Sequence, residues 1–226
     1  GNKFLSHIRN VDALVHVVRC FSDENITHVD GELNPIRDID TIETELLIKD
    51  IESVEKRILR VSKLAKGNNS DAKTELHFFN DLLDQLNNGI LASKIDNIDN
   101  LDLFKHDLFQ LLTYKPMMYL ANVDEDSLND ISCNSNYTAL KNKFSDENLI
   151  HLCGKIEMEI SVMDDEDKEL FLSEYNLNEP GLNRLIIKGY NLLDLETFFT
   201  AGEKEVKAWT IRKGSSAPKA AGVIHT

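Results

Sequence analysis

Leu47, Ile51, Val54, Ile58, Val61 and Leu64 recur at steps of three and four residues, with Lys49, Glu52, Glu55 and Lys56 between them. That spacing puts the apolar side chains on one stripe of a long helix and the charges on its other face. A stripe of that length has to be covered. Gly67-Asn68-Asn69 breaks the pattern, and Leu76, Phe79, Leu83 and Leu86 begin a second stripe that stops near Asn87-Asn88-Gly89. An antiparallel, coiled-coil-like helical hairpin buries both stripes against each other.

The hairpin interrupts a different texture. Ala13–Val18 reads Ala-Leu-Val-His-Val-Val, Met117–Ala121 follows Pro116, and Leu149–Cys153 forms a third apolar run. Near-continuous apolar runs of this length suit strands buried on both faces of a parallel sheet. Each is followed by polar residues and a helical pattern, the alternation of an α/β domain. Lys3–Arg9 reads as a short helix. Asp164-Asp165-Glu166-Asp167 opens another, to about Tyr175, with its acids as cap and solvated face. Glu179-Pro180-Gly181 starts a third through Tyr190. Past Thr197 the texture changes again, with Val206 and Ala208 to Ile211 strand-like and Gly214-Ser215-Ser216 a turn.

The net charge of −14 disfavours a phosphate backbone as partner, but it is unevenly placed. Residues 201–226 hold Lys204, Lys207, Arg212, Lys213 and Lys219 against Glu203 and Glu205, so this end is +3 and the first 200 residues −17. Cys20, Cys133 and Cys153 lie far apart without a CxxC spacing, which predicts reduced, mostly buried thiols. His7, His77, His106, His151 and His225 show no HxxxH or HxxE spacing, which disfavours a zinc enzyme; His16, within an apolar run, suits a core hydrogen bond. No apolar run approaches the roughly 20 residues of a membrane-spanning helix, and no signal-peptide pattern opens the chain. A cytoplasmic protein with no membrane partner is expected.

Four segments together resemble the YchF type of Obg-like ATPase: Gly1-Asn2-Lys3-Phe4-Leu5-Ser6-His7-Ile8-Arg9, His16-Val17-Val18-Arg19-Cys20-Phe21, Pro35-Ile36-Arg37-Asp38-Ile39, and the run from Thr200-Ala201-Gly202-Glu203-Lys204 through Trp209 to Thr226. The resemblance covers essentially the whole chain. It implies a P-loop-class α/β nucleotide-binding domain (residues 1–45 and 113–193), a helical coiled-coil insertion (46–112) and the start of a β-rich TGS domain (194–226). It further implies ATP hydrolysis in preference to GTP, use of Mg2+, and association with ribosomes. No GxxxxGK[ST] sequence is present to hold phosphates. The chain is therefore expected to be a middle portion of a longer protein, with the phosphate and magnesium ligands upstream, and to be inactive alone.

Asn122-Val123-Asp124-Glu125 stands at the end of the second apolar run, where open α/β sheets bind ligands. Alone it reads as a turn after a strand. In GTP-specific relatives this loop is N-K-x-D, whose carboxylate accepts from the guanine N–H and amine. Val123 and Glu125 depart from that pattern, so the resemblance implies base recognition by Asn122, Val123 and Glu125 that no longer penalises adenine. Cys153-Gly154-Lys155 falls where relatives place a short loop against the base. Its backbone N–H groups would make the contact, or it is a plain strand-to-helix turn. His28 lies in a polar loop and is a surface residue on its own terms. The resemblance makes it the catalytic group that positions the attacking water.

Lys204, Lys207, Arg212 and Lys213 surround Trp209, a grouping that suits RNA or ribosome contact through the TGS segment, while a lone strand Trp suits a core. The rival reading is a non-catalytic module whose hairpin and basic end dock on a ribosome or another protein. A weaker one is self-association through the hairpin, whose stripe spans too few heptads to specify an oligomer.

Overall fold

The structure, a computed structural model, describes residues 7–28, 31–67, 69–97 and 99–224. The expected Lys3–Arg9 helix is a helical turn at 7–9, its earlier residues lying outside the described ones, as do Val29, Asp30 and Asn68. Two compact units are present, Gly1–Leu14 with Asn34–Pro116, and Val15–Leu33 with Met117–Thr226.

The first unit is the helical hairpin. Helix α1, Pro35–Ala65, starts where the Asn34 side chain accepts a hydrogen bond from the Arg37 N–H and Pro35 fixes the first turn. It runs unbroken through residue 46, where the sequence suggested a domain boundary; the Asn34-Pro35 cap is the signal that sets its start. Helix α2, Ser70–Asn87, is capped by the Asn69 side chain on the Ala72 N–H. The two stripes meet as the periodicity predicts. Val54, Val61, Phe79 and Leu86 are buried, and Phe78 and Leu82 form the deepest layer. Each such side chain stabilises by about 1.5–3 kcal/mol on burial. Leu64 is 58% exposed, so the buried part of the α1 stripe ends at Val61. A short helix α3, Lys105–Leu108, and the chain around it close the base of the hairpin, with Phe104 stacked on Phe78 at 4.6 Å.

A charge sits inside this core. Asp50, fully buried, accepts the Leu112 N–H at 2.8 Å, the Thr113 N–H at 2.8 Å and the Thr113 hydroxyl at 2.7 Å. Burial pushes its carboxyl above the usual range, and the three donors pull against that.

The second unit holds a three-stranded sheet in the order β1 (Leu14–Arg19), β2 (Met117–Asn122), β3 (Leu149–Leu152). β2 and β3 are parallel, pairing Tyr119 with Leu149 and Asn122 with Leu152. Helices α4 (Asp126–Asn129), α5 (Ser135–Lys143), α6 (Gly154–Ile160), α7 (Asp165–Glu174) and α8 (Gly181–Leu192) follow the strands. Asp164 caps α7 by accepting the Asp167 N–H at 3.0 Å, as the acidic run suggested. β2 and β3 are buried as expected. β1 is not: Val15 and Val17 are 43% and 61% exposed, because this strand lies at the sheet edge and no described residue covers that face.

The other edge is blunted. Arg184 Nη2 donates to His151 O at 3.1 Å and Lys188 Nζ to Leu149 O at 3.0 Å, so cations four apart on α8 match carbonyls two apart on β3. The same lysine also reaches the Asp146 carbonyl. Free edge carbonyls invite another strand, and these side chains occupy them. The chain then forms an antiparallel pair, β4 (Leu195–Ala201) and β5 (Val206–Arg212), and helix α9 (Ala217–Ile224). The α/β class, the parallel sheet, the intervening helical hairpin and the C-terminal strands are those the sequence implied.

Candidate functional site

Because Asn122 and Leu152 are register partners, the loops leaving β2 and β3 emerge side by side. Asn122 closes the gap: its Oδ1 accepts the Gly154 N–H at 2.9 Å. A Cβ on Gly154 would lie 3.3 Å from that oxygen, so a methyl here would make the Asn122 side chain give by a few tenths of an ångström. The Val123 N–H donates to Leu152 O at 2.9 Å, and the Cys20 N–H to Asn122 O at 2.8 Å, which ties the end of β1 to the same point. Three strand ends thus converge on an open cleft of about 450 Å³, lined by Phe21 and Ile26 on one side and by 122–126, Cys153 and Lys155 on the other.

Of the residues expected to recognise a base, the structure brings Asn122, Val123, Glu125, Cys153, Gly154 and Lys155 together. They play different parts. Val123 and Cys153 are buried, so they present mainly backbone. Asn122 is committed to Gly154. Exposed Lys155 pairs with half-buried Glu125, its Nζ 2.5 Å from Glu125 Oε1. That hydrogen bond and the carboxylate charge raise the Lys155 ammonium above its ordinary pKa.

Sequence reasoning passed over the groups that hold this geometry. Asp124 Oδ1 accepts the Ser127 N–H at 2.9 Å and its hydroxyl at 2.6 Å. Buried Asn134 donates from Nδ2 to Cys20 O and to Ser127 Oγ, both at 2.9 Å, and its Oδ1 accepts the Tyr137 N–H at 2.8 Å. Asp-x-x-Ser and Asn-x-x-Tyr are cap spacings that could have been read. The long-range bond from Asn134 to Cys20 could not.

Arg19 fixes the loop beside the cleft. Its guanidinium donates to Phe21 O at 3.0 Å, Ile26 O at 2.9 Å and Asp23 O at 3.3 Å, and lies 4.8 Å from the Phe21 ring centre. His28 follows on this loop, half-buried, with its carbonyl accepting the Gly31 N–H at 3.1 Å. Ile26 lines the cleft, and His28 is not among the lining residues.

The C-terminal cations do not form one patch. Side chains alternate along β5, so Lys207 and Trp209 share one face and Arg212 points to the other. Lys204 lies in the turn between the strands, and Lys213 lines a separate cleft with Lys188, Asp146 and Asp194. Lys207 Nζ sits 4.0 Å over the Trp209 ring, and Trp209 Nε1 donates to Thr200 Oγ1 at 2.9 Å. Trp209 is half-buried rather than core. Among the described residues no three His, Cys, Asp or Glu side chains gather as a metal site would need, and no helix is long and apolar enough to cross a membrane.

A family model described as YchF-GTPase_C, protein of unknown function (DUF933), matches residues 195–226. The curated "Ribosome-binding ATPase YchF" of Bacillus subtilis is 48% identical over 228 residues, covering all of this chain and 62% of that protein. The protein of the same name from Escherichia coli O157:H7 is 44% identical over 227 residues, with the same coverage. The solved YchF GTPase of Schizosaccharomyces pombe superposes with a TM-score of 0.85 at 38% identity, covering all of this chain and 61% of that one. The chain thus spans less than two thirds of the length of these relatives. Along its whole length, in both sequence and fold, the chain is similar to proteins of the YchF family.

Proposed function

We propose that the chain supplies the base-recognising cleft of a ribosome-associated nucleoside triphosphatase that takes ATP in preference to GTP. One observation carries the preference: the Glu125 carboxylate is held by Lys155. Guanine offers two adjacent donors and needs a carboxylate free to accept both. Adenine offers an amine and a bare ring nitrogen, which the backbone N–H and C=O groups around 123–125 and 153–155 can meet. A carboxylate engaged by an ammonium contributes little to guanine, so the usual penalty against adenine disappears.

In this reading residues 1–45 and 113–193 are two parts of one nucleotide-binding domain, 46–112 a coiled-coil insertion and 194–226 the beginning of a TGS domain. The phosphates and Mg2+ are held by an upstream segment that bears the phosphate-binding loop. Mg2+ and phosphate-binding N–H groups supply most of the stabilisation in phosphoryl transfer, so this chain alone is expected to be inactive. The chain's own contributions are base contacts and, through the Arg19-braced loop, the placing of His28 near the attacking water. Lys204, Lys207, Arg212 and Lys213 are assigned to RNA or ribosome contact, and the protein to the cytoplasm, in keeping with the relatives named as ribosome-binding.

Nucleotide titrations of the chain extended by that upstream segment test the reading. ATP should bind more tightly than GTP, and binding should weaken when Asn122 is replaced. Ribosome pull-down by this chain without any nucleotide, with no hydrolysis by the extended protein, would favour the interaction-module reading instead.

A further inference from the structure

The acids of this chain are concentrated in one stretch. Residues 154–179 hold nine Asp and Glu against Lys155 and Lys168, a net −7 of the chain's −14. Some of them serve the fold. Asp164 caps α7, and Asp165, Glu166 and Asp167 stand in its first turn, where the helix dipole favours negative charge. Glu157 accepts the Gly181 N–H at 2.6 Å and the Leu182 N–H at 3.0 Å at the start of α8.

Glu159 and Glu174 stand where the dipole disfavours an acid, in the last turns of α6 and α7, and no basic residue accompanies them there. Among the described residues neither side chain forms a hydrogen bond or ion pair. The two converge in space: burial, and then the charges of Glu125, Glu159 and Glu174, push the Tyr175 hydroxyl above its ordinary pKa, so all three carboxylates act on one group.

Apolar side chains stand beside these charges uncovered. Met158 is 67% and Val162 84% exposed, while the inner face of α6 is spent, with Ile156 and Ile160 buried in a cluster with Leu172. The chain keeps turning past Ile160, the Val162 N–H donating to Glu159 O at 3.3 Å. Lys155, Met158, Glu159 and Val162 therefore fall at steps of three and four on one outward stripe about 10 Å long. Glu125 takes up the Lys155 charge in that stripe. What remains outward is an apolar pair beside acids that oppose their own helices, an arrangement that costs stability and adds nothing to the core.

We propose that this stripe docks a basic amphipathic helix of a partner protein, whose apolar residues cover Met158 and Val162 and whose Lys or Arg side chains meet Glu159 and Glu174. Charge complementarity selects that occupant. A surface of net −7 repels nucleic acid and anionic membrane alike. The outward face of a helix is convex, which gives a small molecule no cavity. Two turns of a partner helix match the length of the stripe. This docking is independent of whether the cleft takes a nucleotide, and it does not involve the cations of β5.

The test is fluorescence anisotropy of a labelled Leu/Lys peptide of about five amphipathic helical turns, titrated with the full chain at about 50 and 200 mM KCl. Met158→Ser with Val162→Ser should weaken binding about tenfold at both salt concentrations. Glu159→Gln with Glu174→Gln should weaken it about tenfold at the lower salt and remove most of the salt dependence. Thermal unfolding should be unchanged in the apolar pair and unchanged or raised in the charge pair, because those acids oppose their helix dipoles. Glu45→Gln with Glu55→Gln, which removes two exposed acids from α1, should leave binding as it was. Parental binding in either the apolar or the charge pair, or equally tight binding of an oligolysine of the same charge, would overturn the proposal. A lowered unfolding temperature in the charge pair would also overturn it, by assigning the acids to the fold. So would self-association of the chain that is lost with Met158 and Val162, which would make a second copy the occupant.

Discussion

Asn122 and Gly154, 32 residues apart, are joined by one hydrogen bond, from the Gly154 N–H to Asn122 Oδ1 at 2.9 Å, and that bond sets the spacing of the two loops that line the cleft. An asparagine spent in this way holds together the two segments at the mouth of the cleft.

Replacing Asn122 with Ala removes the acceptor and leaves the Gly154 N–H to the cleft. The expected cost is about 1 kcal/mol of stability, read by urea unfolding, together with weaker nucleotide binding by the extended protein. Gly154→Ala should act in the same direction, since its Cβ would crowd the same side chain at 3.3 Å. Unaltered binding in both variants would separate this contact from the site.

Lys155→Met releases Glu125 while keeping an unbranched, apolar stem of nearly the same length. A freed carboxylate can accept from guanine, so GTP affinity should rise relative to ATP by severalfold, with the order reversed back by Glu125→Gln in the same background. The readout is competition between the two nucleotides. A ratio indifferent to Lys155 would remove the pair as the source of preference while leaving base binding itself intact.

His151 gives a pH dependence that can be checked without any ligand. Burial, with the nearby charges of Arg184, Lys141 and Lys188, pushes its imidazole down to about 4. Unfolded, it titrates near 6.5, so below that value the unfolded chain takes up more protons than the folded one. Its contribution is complete above pH 6.5 and is lost as the pH falls toward 4. By pH 5 the loss should reach about 1–2 kcal/mol, and His151→Gln should flatten that part of the stability profile. An identical acid limb in the variant would place the titration elsewhere.

Asp50 organises the base of the hairpin, and Asp50→Asn would set an amide donor against N–H and O–H donors. A loss of about 1–3 kcal/mol is expected in thermal or urea unfolding. Asp50→Asn at parental stability would mean that the Leu112 and Thr113 donors find other partners.

Periodicity was enough to read the hairpin, since Val54, Val61, Phe79 and Leu86 repeat with the helix and are buried where they should be. It overran at Leu64, because a repeat says nothing of where the covering helix stops. The exposure of Val17 was illegible for a related reason: an apolar β-branched run looks the same at a sheet edge as at its centre. In the cleft, Asn122, Glu125 and Lys155 were legible as residues at or just beyond strand ends. The bond from Asn134 to Cys20 spans 114 residues and joins the cap of α5 to the residue after β1, which no local pattern encodes.

Steady-state hydrolysis of ATP and of GTP by the chain extended with the upstream phosphate-binding segment, in parallel with its His28→Ala form, is the most direct measurement. The expected result is turnover that favours ATP, falls in the His28 variant and leaves that variant's ATP affinity unchanged. Equal turnover of GTP, or no turnover of either nucleotide even with ribosomes present, would contradict an ATP-selective enzyme built on this cleft.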